Sequence, residues 1–340
     1  MSSQPSSSPS LTVIIPVYNE REQIAGTLRA AAAAVKAGGF NGRFVVIDDG
    51  SSDGTAEAAQ NASPGLPVQV ITQRNQGRLA ARRAGLQAAA DDYVLFLDSR
   101  VAIAPDGLRF IRRQLDFDRR VWNAHVVIDA DGNPYGTFWD VLTRLVFSRY
   151  FANPRTTSYT ADDFDAFPKG TTCFFAPTSL MEQGFERFRS RYRDERNAND
   201  DTPILRWVAG QQPIHISPEF RCSYRPRRTF DGFLRHAFHR GIVFVDGHGR
   251  RDAALFPAVV AFYPLSLIGL LVALKRPRLA GGLAVGMALA AGVLASRRGY
   301  RARAALSFAA LTPVYAVAHG AGMWRGLQLL IANRLFPPTE

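Results

Sequence analysis

Residues 92–100 read DYVLFLDSR, an apolar run of strand length that ends in the carboxylate of Asp98. Tyr, Val and Phe favour a buried, pleated strand, so Asp98 falls where this strand leaves the core. A charge at that point is costly unless another group pairs with it. Ligands of open α/β sheets bind just beyond the carboxyl ends of the strands. The pattern predicts that Asp98 meets a ligand or a metal, although a strand-end aspartate can also simply begin a turn.

Strand-like and helix-like segments alternate over the first third of the chain. Apolar stretches predict strands at 11–15, 44–48 and 67–72, and helices are predicted at 21–36 and 78–90. Alternation at this spacing is typical of βαβ units and a parallel sheet. Beyond residue 100 the sequence predicts strands at 121–130, 171–176, 213–217 and 220–224, and helices at 105–115, 137–151, from Pro203 onward and at 230–244.

The composition is basic, with 41 lysines and arginines against 29 aspartates and glutamates in 340 residues. This balance favours an anionic partner, such as a phosphorylated substrate, a membrane surface or nucleic acid. We expect no nucleic-acid partner, because the sequence has no aromatic-and-basic stripe and much of the charge flanks apolar runs. Cys173 and Cys222 lack metal-ligand spacing and favour a reducing compartment. Residues 1–10 are rich in Ser and Pro and predict a disordered tail without signal-peptide features.

The composition changes after residue 250. Runs at 253–274 and 279–296 carry no charge, and a third apolar run at 304–323 is interrupted by Pro313 and His319. Because about 20 apolar residues span a bilayer, two to three transmembrane helices are predicted, followed by an amphipathic segment at 324–336. The alternative is a buried helical hairpin of a soluble protein. Basic residues before the first run and at 297–303 favour a multi-pass protein of the cell membrane with its N-terminal domain in the cytoplasm.

Four blocks occur in order at the predicted loops of the sheet: TVIIPVYNE at 12–20, VIDDGSSDGT at 46–55, NQGRLAARRAG at 75–85 and LFLD at 95–98. They resemble the blocks of family 2 glycosyltransferases, specifically over 11–130 and more loosely over 165–245. The resemblance implies an α/β fold of the GT-A type, with a mostly parallel sheet flanked by helices, to which C-terminal transmembrane helices are added. It implies a catalytic domain at 11–250, with a nucleotide-sugar-binding half (11–130) and an acceptor half with an interface helix (131–250), before a membrane region at 251–340.

The donor site is expected in the loops that follow the first strands. Tyr18 can pack on a nucleobase, Pro16 shapes its loop, and carboxylates can accept hydrogen bonds from base or ribose. The resemblance assigns Asp49 to the base, Glu20 to the nucleoside and Arg82 to the nucleotide side. The structural alternatives are an acid at a helix N-terminus, a turn aspartate and a solvated helix arginine, respectively.

The fourth block departs from the DxD pattern of the family, since it reads Asp98-Ser99-Arg100. In the family the second acid helps to bind the divalent metal that bridges the diphosphate. One interpretation is that Asp98 holds Mg²⁺ or Mn²⁺ with fewer protein ligands. The other is that Arg100 faces the diphosphate and supplies part of the charge of the metal.

The catalytic base is expected in the second half of the chain. Asn199-Asp200-Asp201 before a helix resembles the Glu-Asp block of the family, with Asp201 as the base and Asp200 as the fallback. Either acid could instead only cap the helix. Positive charge for the leaving diphosphate or the acceptor is expected from basic residues of the following segment, namely Arg228, His236, His239 and Arg240. The alternative for that segment is a basic face on anionic lipid headgroups.

Together these features predict an inverting hexosyltransferase that moves a sugar from a nucleotide diphosphate donor, expected to be UDP-linked, to a lipid-linked or polysaccharide acceptor. Transfer to polyprenyl phosphate itself is the nearest alternative, and a non-catalytic membrane scaffold of the same fold is another. A nucleotidyltransferase would need a Gly-rich basic phosphate loop after the first strand, which residues 16–20 do not provide. The expected partners are the donor, the acceptor and membrane lipids.

Overall fold

The computed structural model describes residues 8–199, 201–251 and 253–335. The strands are β1 Ser10–Val17, β2 Asn41–Asp48, β3 Val68–Thr72, β4 Tyr93–Leu97, β5 Val101–Ile103, β6 Trp122–Ile128, β7 Thr157–Tyr159, β8 Cys173–Pro177 and β9 Ile214–Tyr224. The α-helices are α1 Arg21–Gly38, α2 Thr55–Gln60, α3 Arg78–Gln87, α4 Gly107–Leu115, α5 Pro134–Val146, α6 Ser148–Phe151, α7 Thr178–Arg187, α8 Thr202–Gln211, α9 Phe230–His248, α10 Phe256–Lys275, α11 Pro277–Arg297 and α12 Ala302–Leu335. The predicted tail at 1–10 lies mostly outside the described residues.

The described residues form two compact units. The sheet unit consists of the described residues within Met1–Val127, Phe147–Arg189 and Asp200–Arg225. The helical unit consists of the described residues within Ile128–Val146, Ser190–Asn199 and Pro226–Glu340. The packing thus groups α5 and α9 with the C-terminal helices. The boundaries at 130 and 250, expected from the sequence, separate a nucleotide-sugar-binding half, an acceptor half and a membrane region by function, and they stay a prediction.

One mixed sheet forms the centre of the sheet unit. Its strands follow the order β3-β2-β1-β4-β8-β6-β9-β5, and β7 pairs with β9. The predicted βαβ region supplies the parallel part, in which β1 pairs with both β2 and β4 and β2 pairs with β3. The strands that follow are antiparallel where β8 meets β4 and β6, and where β9 meets β5 and β7. This confirms the predicted GT-A type of sheet flanked by helices.

Both faces of the parallel strands are buried, which explains why their sequences read as continuous apolar runs. Val13 of β1 faces the core cluster that contains Leu28 of α1. On the other face, Ile47 of β2 packs with Ala81 of α3. A β-carbon on Gly85 of α3 would lie 2.3 Å from the side chain of Ile14, so glycine allows this helix to approach the sheet closely.

The helical unit is built around the crossing of α9 and α12. A β-carbon on Gly241 of α9 would lie 2.0 Å from the backbone oxygen of His319, and one on Gly322 of α12 would lie 1.9 Å from that of Phe238. The two backbones therefore touch without intervening side chains, as small residues permit in helix packing. Phe138 of α5 packs into the same unit beside residues of α11 and α12.

Three helices of this unit are long and apolar enough to cross a membrane: Phe256–Lys275, Pro277–Arg297 and Ala302–Ala332. In each of them, less than a quarter of the most apolar window is buried within the protein. Apolar helix surface left uncovered by protein is suited to lipid. The C-terminal helices thus support the predicted membrane association, and their low burial does not fit a helical hairpin buried within this chain.

Several element boundaries differ from the sequence-based expectation. The two strands predicted around Pro218 are one strand, β9, whose ends pair with different partners, β7 and β5. The helix predicted at 137–151 is divided into α5 and α6 because Phe147 leaves the helical region, with φ −103° and ψ 38°. The run at 304–323 and the amphipathic segment after it are one helix, α12, so the change in pattern at Trp324 does not mark a break in the helix.

Candidate active site

The loops after β1 and β2 are joined by hydrogen bonds at the carboxyl edge of the sheet. The N–H of Asn19 donates to Ser51 Oγ, and the N–H of Ser52 donates to Asn19 Oδ1, both at 2.9 Å. The N–H of Glu20 donates to Thr55 Oγ1, also at 2.9 Å. These reciprocal bonds make a single wall from two sequence blocks that are about thirty residues apart.

In this wall Pro16 is buried, whereas Tyr18 is exposed to solvent. Pro16 is buried inside β1, where it pairs in register with Ile47. Tyr18 follows the strand, and 48% of its surface is exposed. An aromatic ring left open at a strand end can stack on a planar ligand. The roles of Pro16 in shaping the loop and of Tyr18 in holding a nucleobase stay predictions.

Asp49 organises a neighbouring loop. Its carboxylate accepts hydrogen bonds from Gln73 Nε2 and from the backbone N–H groups of Gln76 and Gly77, each at 2.8 Å. The residue is 5% exposed. Asp49 therefore fixes the loop that begins α3, a task that the sequence blocks did not reveal. Its predicted contact with a base would use the remaining acceptor capacity of the same oxygens, and it stays a prediction.

A guanidinium pairs with the strand-end carboxylate of Asp98. Arg82 is 2% exposed, and its Nη2 donates to Asp98 Oδ1 at 2.8 Å. The N–H of Asp98 donates to the backbone oxygen of Thr172 at 2.9 Å. Burial lowers the pKa of Arg82, while the charges of Asp98 and Asp201 raise it. Arg82 of α3 thus offsets the cost of placing the charged carboxylate of Asp98 at the end of the strand.

The two other charged residues of the predicted donor site also pair. Arg100 Nε donates to Glu20 Oε1 at 2.7 Å. Glu20 is 6% exposed and the side chain of Arg100 is 20% exposed. The backbone oxygen of Arg100 accepts the N–H of Arg225 at 2.9 Å, which fixes the arginine at its Cα. Arg100, which stands where the DxD block has its second acid, thus pairs with the carboxylate of Glu20.

Asp201 is the N-cap residue of α8, and its charge acts on Arg82. Its carboxylate accepts hydrogen bonds from the backbone N–H and the hydroxyl of Thr202, so the predicted capping contact is present. A β-carbon on Gly170 would lie 3.5 Å from Asp201 Oδ2. The structure therefore brings Asp201 to the side of the sheet unit that carries Arg82 and Asp98. Its role as a base stays a prediction, and Asp200 lies outside the described residues.

Lys169, a basic residue that the sequence did not single out, interacts electrostatically with Asp201. Lys169 Nζ donates to the backbone oxygens of Phe164 and Phe167 at 2.8 Å and 3.3 Å and lies 3.4 Å from Asp165 Oδ1. Burial lowers the pKa of Lys169, whereas Asp165 and Asp201 raise it. A lone lysine in a loop carries no motif, so its interaction with the predicted base could not be predicted from the sequence.

Few protein ligands for a metal are present around Asp98. Among the residues that the structure describes, no group of three or more His, Cys, Asp and Glu side chains could hold a metal ion. One oxygen of Asp98 accepts the hydrogen bond of Arg82. The other remains suited to a hard divalent cation, which can complete its shell with phosphate oxygens and water. The donor set thus fits a cation held mainly by a bound diphosphate.

The predicted basic residues of the acceptor side lie in the helical unit. His236 and Arg240, one turn apart on α9, both contact Trp139 of α5, with ring centroids 4.5 Å apart for His236 and the guanidinium 5.3 Å from the indole. Arg240 also interacts electrostatically with His319 of α12. Arg228 donates instead to backbone oxygens of the turn at 131–132. His239 is half-buried on α9.

The sequence profile of the family described as "Glycosyl transferase family 2" matches residues 12–180, which contain both ion pairs described above. Residues 12–180 are a glycosyl transferase family 2 domain. This domain includes all the predicted donor-site residues, and Asp201 follows it in the chain. The recognition made from the four sequence blocks is confirmed.

Curated relatives match a shorter stretch of the chain. The undecaprenyl-phosphate 4-deoxy-4-formamido-L-arabinose transferase of Pseudomonas savastanoi pv. phaseolicola is 38% identical over 99 residues, which cover 28% of this chain and 29% of that protein. The enzyme of the same name from Salmonella paratyphi A is 35% identical over 100 residues, covering 28% and 30%. The chain thus spans less than a third of the length of the curated relatives that it matches.

A solved structure extends the similarity in fold over almost the whole chain. The mannosyltransferase PcManGT from Pyrobaculum calidifontis, in complex with GDP-Man and Mn²⁺, aligns with a TM-score of 0.52 at 18% identity, covering 98% of this chain and 89% of that one. At this identity the similarity concerns the fold. It agrees with the GT-A type of sheet described above.

Proposed function

We propose that this chain is an inverting glycosyltransferase that moves a sugar from a nucleotide diphosphate donor to a lipid-linked acceptor at a membrane. The donor is UDP-linked, and the sheet unit works on the cytoplasmic side. The observation that carries this proposal is the buried Arg82–Asp98 pair at the end of β4, on whose guanidinium the charge of Asp201 also acts. A cation flanked by two acids at the carboxyl edge of a family 2 domain suits a phosphorylated sugar donor.

On the donor side, Tyr18 would pack on the nucleobase, while Glu20 and Asp49 would accept hydrogen bonds from the nucleoside. Arg82 and Arg100 would face the diphosphate, where negative charge grows as the bond to the sugar breaks. Asp98 would hold a Mg²⁺ or Mn²⁺ ion whose chemistry is to neutralise that charge. In support, the similar mannosyltransferase structure contains Mn²⁺ together with its nucleotide sugar.

On the acceptor side, α9 and α12 offer a basic and aromatic surface in the unit that carries the apolar helices. Arg240 and His236 lie against Trp139, and the charge of Arg240 also acts on Tyr315. No carboxylate of the described residues forms an ion pair with Arg240. Such a surface suits the phosphate of a lipid-linked acceptor, and the names of the curated relatives, which are undecaprenyl-phosphate transferases, support the same class.

The proposed role of Asp201 depends on which oxygen of the acceptor attacks. If the acceptor is a sugar hydroxyl of a lipid-linked glycan, Asp201 takes the hydroxyl proton while the oxygen bonds to the anomeric carbon and the diphosphate leaves. A polyprenyl phosphate, in contrast, is largely ionised at neutral pH because the second pKa of a phosphate monoester is about 6. Its oxygen needs no base, so the dependence on Asp201 separates the two acceptor classes.

The test uses the full chain in membrane vesicles, supplied with radiolabelled UDP-sugars and GDP-sugars and either a polyprenyl phosphate or a lipid-linked glycan. We expect label from one UDP-sugar in the lipid fraction. With a hydroxyl acceptor, Asp201→Asn should lower kcat by roughly 10²-fold to 10⁴-fold. With a phosphate acceptor, the loss should stay below about 10-fold.

The matched control is Asp116→Asn, which removes a carboxylate that is 68% exposed and pairs with Arg112 at 3.2 Å. It should retain the wild-type rate with every acceptor. Absence of label in the lipid fraction for all nucleotide sugars would contradict the proposed activity and favour a non-catalytic scaffold. Label from GDP-sugars alone would contradict the UDP assignment.

A further inference from the structure

The carboxylate of Asp246 on α9 accepts hydrogen bonds from both ends of the segment 190–199, which precedes Asp201. Asp246 is 2% exposed. Its Oδ1 accepts the N–H of Arg191 at 2.8 Å, and its Oδ2 accepts the hydroxyl of Ser190 at 3.0 Å and the N–H of Asn199 at 2.8 Å. Both ends of the segment 190–199 are thus attached to a single side chain of the helical unit.

Two further side chains attach the same segment to α9. The hydroxyl of Tyr192 donates to the backbone oxygen of Ile242 at 2.7 Å, and Asn199 Nδ2 donates to that of Val243 at 3.3 Å. A β-carbon on Gly247 would lie 2.3 Å from Asn199 Nδ2. The helix therefore carries glycine where the segment approaches it most closely.

The segment also lies against α12, the longest of the apolar helices. A β-carbon on Gly326 of α12 would lie 2.7 Å from the hydroxyl of Tyr192. Since α9 and α12 touch through Gly241 and Gly322, the segment, α9 and α12 form one packed group. The position of residues 190–199 thus follows the position of a candidate membrane helix.

The chain leaves the helical unit immediately after Asn199, and Asp201 is the N-cap residue of α8 of the sheet unit. We propose that Asp246 is a positioning residue, which fixes Asn199 and thereby the course of the chain into Asp201. This inference rests on the proposed role of Asp201.

The chemistry of the contact explains why an acid is needed at this position. Two of the three donors are backbone N–H groups, which require acceptors when they are buried. A carboxylate offers two acceptor oxygens: Oδ1 binds Arg191, and Oδ2 binds both Ser190 and Asn199. An asparagine offers one oxygen and turns an N–H donor toward the other end, so Asp246→Asn should release either Arg191 or Asn199 while the volume of the side chain is kept.

The test compares Asp246→Asn with Asp231→Asn in the full chain in vesicles. Asp231 lies on the same helix, is 68% exposed and pairs with Arg235 at 2.9 Å, so it is a matched control. We expect Asp246→Asn to lower kcat at least 10-fold with an unchanged donor KM, because small displacements of a catalytic group cost rate and not donor affinity. Hydrogen exchange should become faster in this variant alone, at the amide of residue 191 or of residue 199, whichever loses its acceptor.

A purely structural role of Asp246 would lower kcat, donor affinity and the thermal midpoint together, and that result would overturn the proposal. An unchanged kcat despite faster exchange at residue 199 would also overturn it. If Asp246→Asn does not fold, Ser190→Ala removes one of the three bonds and should give a smaller loss of kcat in the same direction. A chain that is active with Asp201→Asn would contradict the proposed base, whereas an Asp201-dependent chain that is indifferent to Asp246→Asn would contradict only this inference.

Discussion

Replacing Arg82 by methionine tests whether the carboxylate at the end of β4 is stabilised by the guanidinium from α3. Methionine keeps much of the length and the apolar stem of arginine but removes the charge and the hydrogen bond at 2.8 Å to Asp98 Oδ1. The side chain of Arg82 is 2% exposed and that of Asp98 is 21% exposed. The substitution thus leaves a mostly buried carboxylate without its partner.

The expected loss in the free energy of unfolding follows from that burial. Breaking a buried pair costs about 3–5 kcal/mol, and the partial exposure of Asp98 places this pair at about 3 kcal/mol. Asp98→Asn should cost about 2 kcal/mol, since an amide oxygen can still accept a hydrogen bond from Arg82. The double variant should lose less than the sum of the single variants, with a coupling energy of about 2 kcal/mol.

Thermal unfolding of the full chain in detergent measures these losses, because about 1 kcal/mol lowers the midpoint by about 2–4 °C in units of this size. Arg109→Met is the control, since Arg109 pairs with Asp106 at 2.7 Å but its side chain is 57% exposed. Exposed pairs contribute about 0–1 kcal/mol. Equal shifts of the midpoint for Arg82→Met and Arg109→Met would refute the reasoning from burial.

Two further predictions concern the metal and pH. A chelator should abolish sugar transfer and Mn²⁺ should restore it, and Asp98→Asn should raise the Mn²⁺ concentration needed for half-maximal activity about 10-fold; full activity in the chelator would favour the interpretation that Arg100 replaces the metal. Burial, with a smaller effect of Arg119, lowers the pKa of His215 to about 4 from its ordinary value of 6.5. The unfolded chain therefore binds this proton first, so stability should be full above about pH 6.5 and decrease as the pH falls toward 4. His215→Phe, which keeps the ring against Trp122, should weaken that decrease in thermal midpoints measured from pH 7 to pH 4, and an identical pH profile would show that another group is responsible.

The sequence predicted best where local pattern and fold agree. The apolar runs of β1, β2 and β4 are buried on both faces, so their composition alone marks them as central strands. The four blocks then follow from topology, because parallel strands bring the loops after them to one edge. The buried partner of Asp98 was harder to predict: Arg82 was expected on the nucleotide side, but its pairing with the strand end depends on how α3 lies on the sheet.

The remaining features depend on contacts between distant segments. The strands β5 and β7 have three residues each and acquire their strand character from pairing with β9. The helix α7 follows β8 directly and carries no distinctive cap. The sequence did not predict a structural role for Asp246, because a single acid on an amphipathic helix is typical of the solvent-exposed face. Only the packing of the segment 190–199 on α9 shows that this acid is buried.

The length of α12 has a consequence for the level at which the protein rests in a bilayer. Its 34 residues, at a rise of about 1.5 Å each, measure about 51 Å, whereas the hydrocarbon layer is about 30 Å thick. Even a strongly tilted α12 therefore protrudes past the lipid tails. Both α9 and the segment 190–199 pack against this helix. The thickness of the bilayer therefore sets how much of α12 lies outside the hydrocarbon layer.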